Sequence, residues 1–193
     1  MKTVSREEWI PAIHAGDFGV CLGEKSFFSK LQNLFRKKEH EGDKLASHGI
    51  YCTGGYGIIE AEYPYVTDKN KITRYLDDHH DVWIWRYADL TDTQLEIMNA
   101  VAKTEVAQKE PYGVGDIIKK GLHYLFGTAL SDSSGTFCTE LLWRLAAAAS
   151  LTFVDVPANQ CDPSLLRCWF EEKQRGYWEL VASRVDGVYS LKS

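Results

Sequence analysis

Ala46-Ser47-His48-Gly49-Ile50-Tyr51-Cys52, then Thr53-Gly54-Gly55-Tyr56-Gly57, then Ile58-Ile59-Glu60-Ala61-Glu62-Tyr63 form one uninterrupted stretch. Two β-rich runs around a glycine-bearing centre read as a hairpin. A three-residue loop of Thr53, Gly54 and Gly55 pairs Cys52 with Tyr56, Ile50 with Ile58 and His48 with Glu60. In that register His48 faces Glu60 directly across the ladder, at ~5.5 Å between Cα atoms. A two-residue Gly54-Gly55 turn would slip the register by one residue and send Glu60 to the opposite face. A glycine in the left-handed position of a bulged loop allows the odd length. Glu62 shares the face of Glu60 and is the second candidate partner for His48. Glu60 lies between Ile58-Ile59 and Ala61, which argues for partial burial rather than an ordinary surface carboxylate.

A base and an acid on one hairpin need a nucleophile, and Cys138 is placed to be one. It sits in Gly135-Thr136-Phe137-Cys138-Thr139-Glu140-Leu141-Leu142-Trp143, at the start of a long apolar helix. The first N–H groups of a helix have no partner within it, and the macrodipole places partial positive charge there. Thiolate is therefore favoured, and the thiol pKa falls below its free value of ~8.5. The competing reading is a buried structural thiol, since free cysteine commonly behaves as a small hydrophobe. The presence of His48 as base and Glu60 as orienter favours catalysis, because a nucleophilic cysteine needs both.

The rest of the chain reads as α+β. Asp17 to Leu22 is a short strand, and Phe27, Phe28, Leu31, Leu34 and Phe35 share one face of a helix across Ser26 to Phe35. Arg36 to Lys44 is a charged loop, Ile72 to Leu76 follows the hairpin, and Asp81 to Tyr87 is a strand. Thr91 caps a helix whose capping box is completed by Gln94, with Leu95, Met98, Val101, Ala102 and Val106 along one side. Gly113 to Phe126 is helical, with Gly127 as its stop. The Cys138 helix continues to Ala149, and the consecutive alanines Ala146 to Ala149 suggest close packing on the sheet. With no internal repeat or low-complexity segment, residues 1–193 are expected to form a single domain.

Composition narrows the function classes. The 193 residues are 45% hydrophobic, enough for one buried core, and the net charge of −5 argues against a nucleic-acid partner. Cysteines at 21, 52, 138, 161 and 168 show no C-x-x-C spacing, so no metal and no cofactor are expected. His79-His80 beside Asp77-Asp78 suggests metal chemistry, but adjacent histidines in a polar turn point apart, and a solvated turn is the expectation. Met1 to Glu8 has no apolar run of the signal-peptide kind, and no stretch reaches the ~18 apolar residues of a membrane span. The expectation is a cytoplasmic protein in a reducing environment. Arg36-Lys37-Lys38 behind the Phe27 to Phe35 face is compatible with peripheral membrane contact, but Glu39 and Glu41 follow directly and favour a solvated loop.

The order of histidine, glutamate and helix-start cysteine resembles the permuted papain-like cysteine hydrolases of the YiiX type, relatives of NlpC cell-wall peptidases and of lecithin:retinol acyltransferase. Gly16-Asp17-Phe18-Gly19-Val20 with Ser26-Phe27-Phe28-Ser29-Lys30-Leu31 is similar to that family's opening segment. Ser47 to Tyr51 with Ile59-Glu60-Ala61 is similar to its hairpin, and Phe137-Cys138-Thr139-Glu140-Leu141 to its nucleophile segment. Trp83-Ile84-Trp85-Arg86, Pro111-Tyr112, Asp162-Pro163-Ser164-Leu165-Leu166 and Trp178-Glu179-Leu180-Val181 match further elements. Thr139 stands where the family has serine, Gly113 where it has aspartate, and Gly49 where valine is common.

The resemblance implies a circularly permuted papain-like fold, with an antiparallel sheet packed against the helix that carries the nucleophile. It also implies that Tyr112 lines the site, where its phenol could donate to an oxyanion; the alternative is a packing tyrosine. The expected chemistry is acyl transfer through a thioester, with Cys138 attacking, His48 taking its proton and Glu60 orienting the ring. An amide or peptide-like small-molecule substrate is expected. The alternatives are a lipid acyl hydrolase or acyltransferase, and a binding module that uses the fold without turnover.

Overall fold

Phe18, Val20, Tyr51, Trp83 and Trp85 point to one side of a sheet and Cys21, Ile50, Cys52, Val82 and Ile84 to the other, and both sets are buried. A sheet covered on both faces reads as near-continuous apolar strands, which is why these segments show little alternation. The computed structural model describes residues 1–23, 46–77, 79–111, 138–158, 161–172 and 176–193. The expected helices over 26–35 and 113–126, the loop 36–44 and Tyr112 lie outside the described residues.

In chain order the strands are β1 (Lys2–Thr3), β2 (Ala15–Gly23), β3 (His48–Gly54), β4 (Gly57–Glu62), β5 (Tyr65–Thr67), β6 (His80–Tyr87), β7 (Trp178–Val185) and β8 (Val188–Leu191). They form one sheet in the order β1-β8-β7-β6-β2-β3-β4-β5, with every neighbouring pair antiparallel. The helices described are α1 (Arg6–Trp9), α2 (Asp92–Gln108), α3 (Cys138–Ala148) and α4 (Pro163–Glu172). The architecture is α+β. Residues of α2, α3 and α4 cover one face, and α1 with the 3-10 turns Ile10–Ala12 and Ile72–Tyr75 covers the other. Among the described residues no helix is long and apolar enough to cross a membrane.

Local signals account for several boundaries. Thr91 and Gln94 form the reciprocal capping box that starts α2, and Met98 and Ala102 are buried beneath it. Asp162 Oδ1 accepts from the Ser164 and Leu165 N–H groups and so caps α4. The alanine run behaves differently from expectation: Ala146 and Ala149 are buried, while Ala147 and Ala148 are exposed, as helical periodicity requires of consecutive residues.

The hairpin register also needs a correction. Tyr51 pairs with Ile59 and Cys52 with Ile58, while Gly54 pairs with Gly57 around a Gly55-Tyr56 turn, with an irregularity between Cys52 and Gly54. Ile58 was expected opposite Ile50, so the ladder runs two residues away from the simple three-residue loop. The physical cause is a bulge at Thr53 combined with positive φ at Gly54 (94°) and Gly55 (57°). A shift of two preserves the face, whereas a shift of one would have reversed it. His48 and Glu60 therefore stand diagonally across the ladder rather than directly opposite.

Candidate functional site

His48 starts β3, Glu60 lies near the end of β4, and Cys138 starts α3. Gly49 lets α3 seat closely on β3. A Cβ built there would stand 3.0 Å from Leu142 Cδ1, 3.3 Å from Thr139 Cγ2 and 3.4 Å from the Cys138 carbonyl oxygen. Thr139 Oγ1 donates to the Cys161 carbonyl at 2.6 Å, which fixes the first turn of α3 from the other side. Ser47, just before the histidine, accepts from the Gly23 N–H at 3.0 Å and donates to the Cys21 carbonyl at 3.3 Å, holding the start of β3 to the end of β2.

These elements bring the three predicted side chains together. His48 Nε2 lies 2.6 Å from Glu60 Oε2, and the same ring is hydrogen-bonded to the Cys138 side chain. With Nε2 engaged by the carboxylate, Nδ1 is the ring nitrogen left for the thiol. Burial alone would lower the His48 pKa, but the charge and hydrogen bond of Cys138, reinforced by Glu60, push it up to about 10. Burial would likewise raise the Glu60 carboxyl. The His48 hydrogen bond and charge, helped by Tyr75 and Asn70, overcome this and hold it at about 2. Both shifts favour an ionised carboxylate and a protonated imidazole beside the thiol.

Glu62, the second candidate, does not reach the ring. Its carboxylate accepts from Arg74 Nη1 at 2.6 Å, from Arg74 Nη2, and from Asn70 Nδ2 at 2.8 Å. Two residues along the same strand face, the two acids share Asn70 and Arg74, but only Glu60 meets the imidazole and only Glu62 takes the full guanidinium fork.

Sequence reasoning missed Tyr75, Asn70 and Arg74. Tyr75 Oη donates to Glu60 Oε2, the oxygen that also meets His48. Asn70 Nδ2 donates to Glu60 Oε1 at 2.7 Å, with Arg74 Nη1 at 3.5 Å from the same oxygen. The polar Asn70 just ahead of Ile72 to Leu76 was the available signal, but nothing local connects it to the hairpin.

A second buried ion pair lies away from these groups. Asp17, 1% exposed, accepts from Arg86 Nε and Nη2, each at 2.8 Å, and Arg86 Nη2 also reaches the Ala12 carbonyl at 2.8 Å. This ties the start of β2 to the end of β6. His80 departs from the expected solvated turn, for it begins β6 and its Nδ1 lies 2.5 Å from Asp77 Oδ1. Among the described residues no group of three or more His, Cys, Asp or Glu could hold a metal.

The arrangement can pass a proton between a thiol and an imidazole whose far nitrogen is held by a buried carboxylate. No known protein-family model matches the chain, and no curated protein matches it significantly.

Proposed function

We propose that the chain is a cysteine hydrolase that cleaves an amide or peptide bond through a thioester. One observation carries this reading: a single part-buried imidazole contacts both Glu60, at 2.6 Å, and the Cys138 thiol. A thiolate–imidazolium pair oriented by an acid is the working unit of cysteine hydrolases. The order of strand-borne His48 and Glu60 before helix-borne Cys138 supports a circularly permuted papain-like fold. Five cysteines that form no disulfide with one another suit a reducing compartment such as the cytoplasm.

In the proposed reaction Cys138 Sγ attacks the substrate carbonyl carbon, and the carbonyl π electrons move to oxygen. The Cys138 backbone N–H, at the positive end of α3, donates to that oxyanion. Collapse breaks the C–N bond, and the His48 imidazolium gives its proton to the departing amine. Water, deprotonated by the now neutral His48, attacks the thioester, releasing the carboxylic acid and returning the proton to the Cys138–His48 pair. Glu60 stays ionised throughout and holds the ring.

The test offers aminoacyl p-nitroanilides and short-chain p-nitrophenyl esters to wild type and to Cys138→Ala, with mass spectrometry of the quenched enzyme. The expected result is product release with an acyl adduct on the peptide containing Cys138, and neither in Cys138→Ala. Turnover unchanged by that substitution would overturn the reading, and so would stoichiometric substrate binding with no adduct and no product.

A further inference from the structure

We infer that Tyr75, assisted by Asn70, is a positioning residue that keeps the Glu60 carboxylate aligned with the His48 ring; the inference rests on the proposed role of Glu60 as orienter. The Glu60 side chain is wholly buried, so water cannot complete its hydrogen bonding. Its two oxygens are instead filled by protein donors. Oε2 takes the His48 N–H and the Tyr75 O–H, and Oε1 takes Asn70 Nδ2, with Arg74 Nη1 farther away at 3.5 Å. The carboxylate plane is therefore defined from both sides. Tyr75 also restrains the imidazole directly, since its ring stacks on His48 with centroids 5.8 Å apart and planes inclined by 24°. His80 abuts the same tyrosine ring edge-on at 5.4 Å and limits its movement.

The chain position of Tyr75 suits this task. It ends the 3-10 turn Ile72–Tyr75, whose Ile72 N–H bonds to the Tyr56 carbonyl at 2.9 Å and whose Ile72 side chain is buried in the core. The turn is thus anchored to the tip of the hairpin that carries both His48 and Glu60.

Electrostatics runs the same way. The charged and titratable groups around Glu60 are His48 from β3, Arg74 and Tyr75 from the 3-10 turn, Glu62 from its own strand, Cys21 from β2, and Cys138 beyond the imidazole. Glu62 is neutralised by Arg74, and burial raises the Cys21 thiol well above its ordinary value. Tyr75 and Asn70 are the neutral donors that favour the charged form of Glu60 against its burial. Without them the carboxylate takes a proton more readily, and the imidazolium loses part of its support.

The experiment measures iodoacetamide alkylation of Cys138 and substrate turnover against pH in wild type, Tyr75→Phe, Asn70→Ser and Tyr51→Phe. Tyr51 supplies the control, because it is another buried tyrosine whose hydroxyl bonds elsewhere, to Asn99 Oδ1 at 2.8 Å. In Tyr75→Phe the acid limb of alkylation should rise by about one unit and the pH–turnover profile should narrow from both sides by about one unit on each limb, with about tenfold lower turnover and little change in KM. Asn70→Ser should shift the limbs the same way by less, and it keeps the test usable if Tyr75→Phe does not fold. Tyr51→Phe should lower stability and leave both limbs in place. Limbs unmoved in folded Tyr75→Phe, or in Asn70→Ser where Tyr75→Phe does not fold, overturn the inference while leaving the hydrolase reading intact. A wild-type Cys138 that alkylates only near the pH of a free thiol overturns the hydrolase reading itself.

Discussion

Glu60 meets the His48 ring at 2.6 Å, while Glu62, two residues farther along β4, is held by Arg74 and Asn70. The strand pleat alone does not separate these acids, because both project from the same face. What separates them is the 3-10 turn that follows, whose Arg74 guanidinium engages Glu62 while its Tyr75 hydroxyl holds Glu60 against the imidazole. Glu60→Gln should keep the fold yet lose roughly 10³–10⁴-fold in turnover, as expected when a charged orienter of a catalytic imidazole is neutralised. Glu62→Gln should cost no more than a few-fold. Steady-state kinetics on any accepted amide or ester decides between them, and the reverse ranking would move the orienting role to Glu62.

Thiol reactivity should single out one cysteine. Burial raises Cys21 and Cys52 well above their ordinary pKa, and Cys161 is also wholly buried. The Cys138 thiol, by contrast, hydrogen-bonds to the His48 imidazole, whose pKa is raised. At pH 6 it should alkylate at least tenfold faster than the other four, and His48→Ala should abolish the difference. Peptide mapping after limited labelling reads this directly, and equal labelling of all five would return Cys138 to a structural role.

Stability should follow pH with a plateau between two falls. His48 is raised from 6.5 to about 10, so its contribution is complete below pH 6.5 and is lost as pH rises through 10. Glu60 is lowered from 4.5 to about 2, so its contribution is complete above pH 4.5 and is lost as pH falls through 2. Urea midpoints should therefore be highest between about pH 4.5 and 6.5 as far as these two groups determine them. Cys138→Ala should flatten the basic fall, because the thiolate is the main partner raising His48. An unchanged basic slope in that variant would mean that the ring draws its proton affinity from elsewhere.

Much of this site could be read from the sequence because its determinants are local. The Thr91–Gln94 capping box depends on residues three apart, and the shared face of His48 and Glu60 depends only on parity. The bulge at Thr53 was not legible, since several glycine loops suit the same run of residues; its two-residue shift changed the partners and spared the face. Tyr75 and Asn70 were not legible because their contact with Glu60 is tertiary, set by where the 3-10 turn docks. The Asp17–Arg86 pair was hidden for the same reason, as the topology inserts β2 beside β6.

That ion pair gives a separate stability prediction. Arg86→Met leaves the Asp17 carboxylate buried with only the His14 N–H as a described donor, at 2.8 Å. The loss should be about 3 kcal/mol, the lower end for breaking a buried pair, because Arg86 keeps part of its surface in water. Adding Asp17→Asn should recover part of that loss, since the stranded charge is then gone. Chemical denaturation of the two single variants and the double variant gives the coupling, and strictly additive losses would show that the two side chains do not support one another.

Gly49 links packing to the proposed chemistry most directly. A Cβ at this position would meet Leu142, Thr139 and the Cys138 carbonyl at 3.0, 3.3 and 3.4 Å, so the close seat of α3 on β3 depends on having no side chain there. Gly49→Ala should be accommodated by shifts of a few tenths of an ångström, whereas Gly49→Val adds two methyl groups against the same turn and should cost about 1–3 kcal/mol by overpacking. The turn that moves carries Cys138, so Gly49→Val should also lower turnover and low-pH alkylation by more than its loss of stability accounts for. The control is Gly49→Ala, which should retain most of both. If Gly49→Val folds with wild-type stability and wild-type alkylation, α3 does not press on β3 at this point, and the alignment of thiol and imidazole must be set by the Thr139–Cys161 hydrogen bond instead.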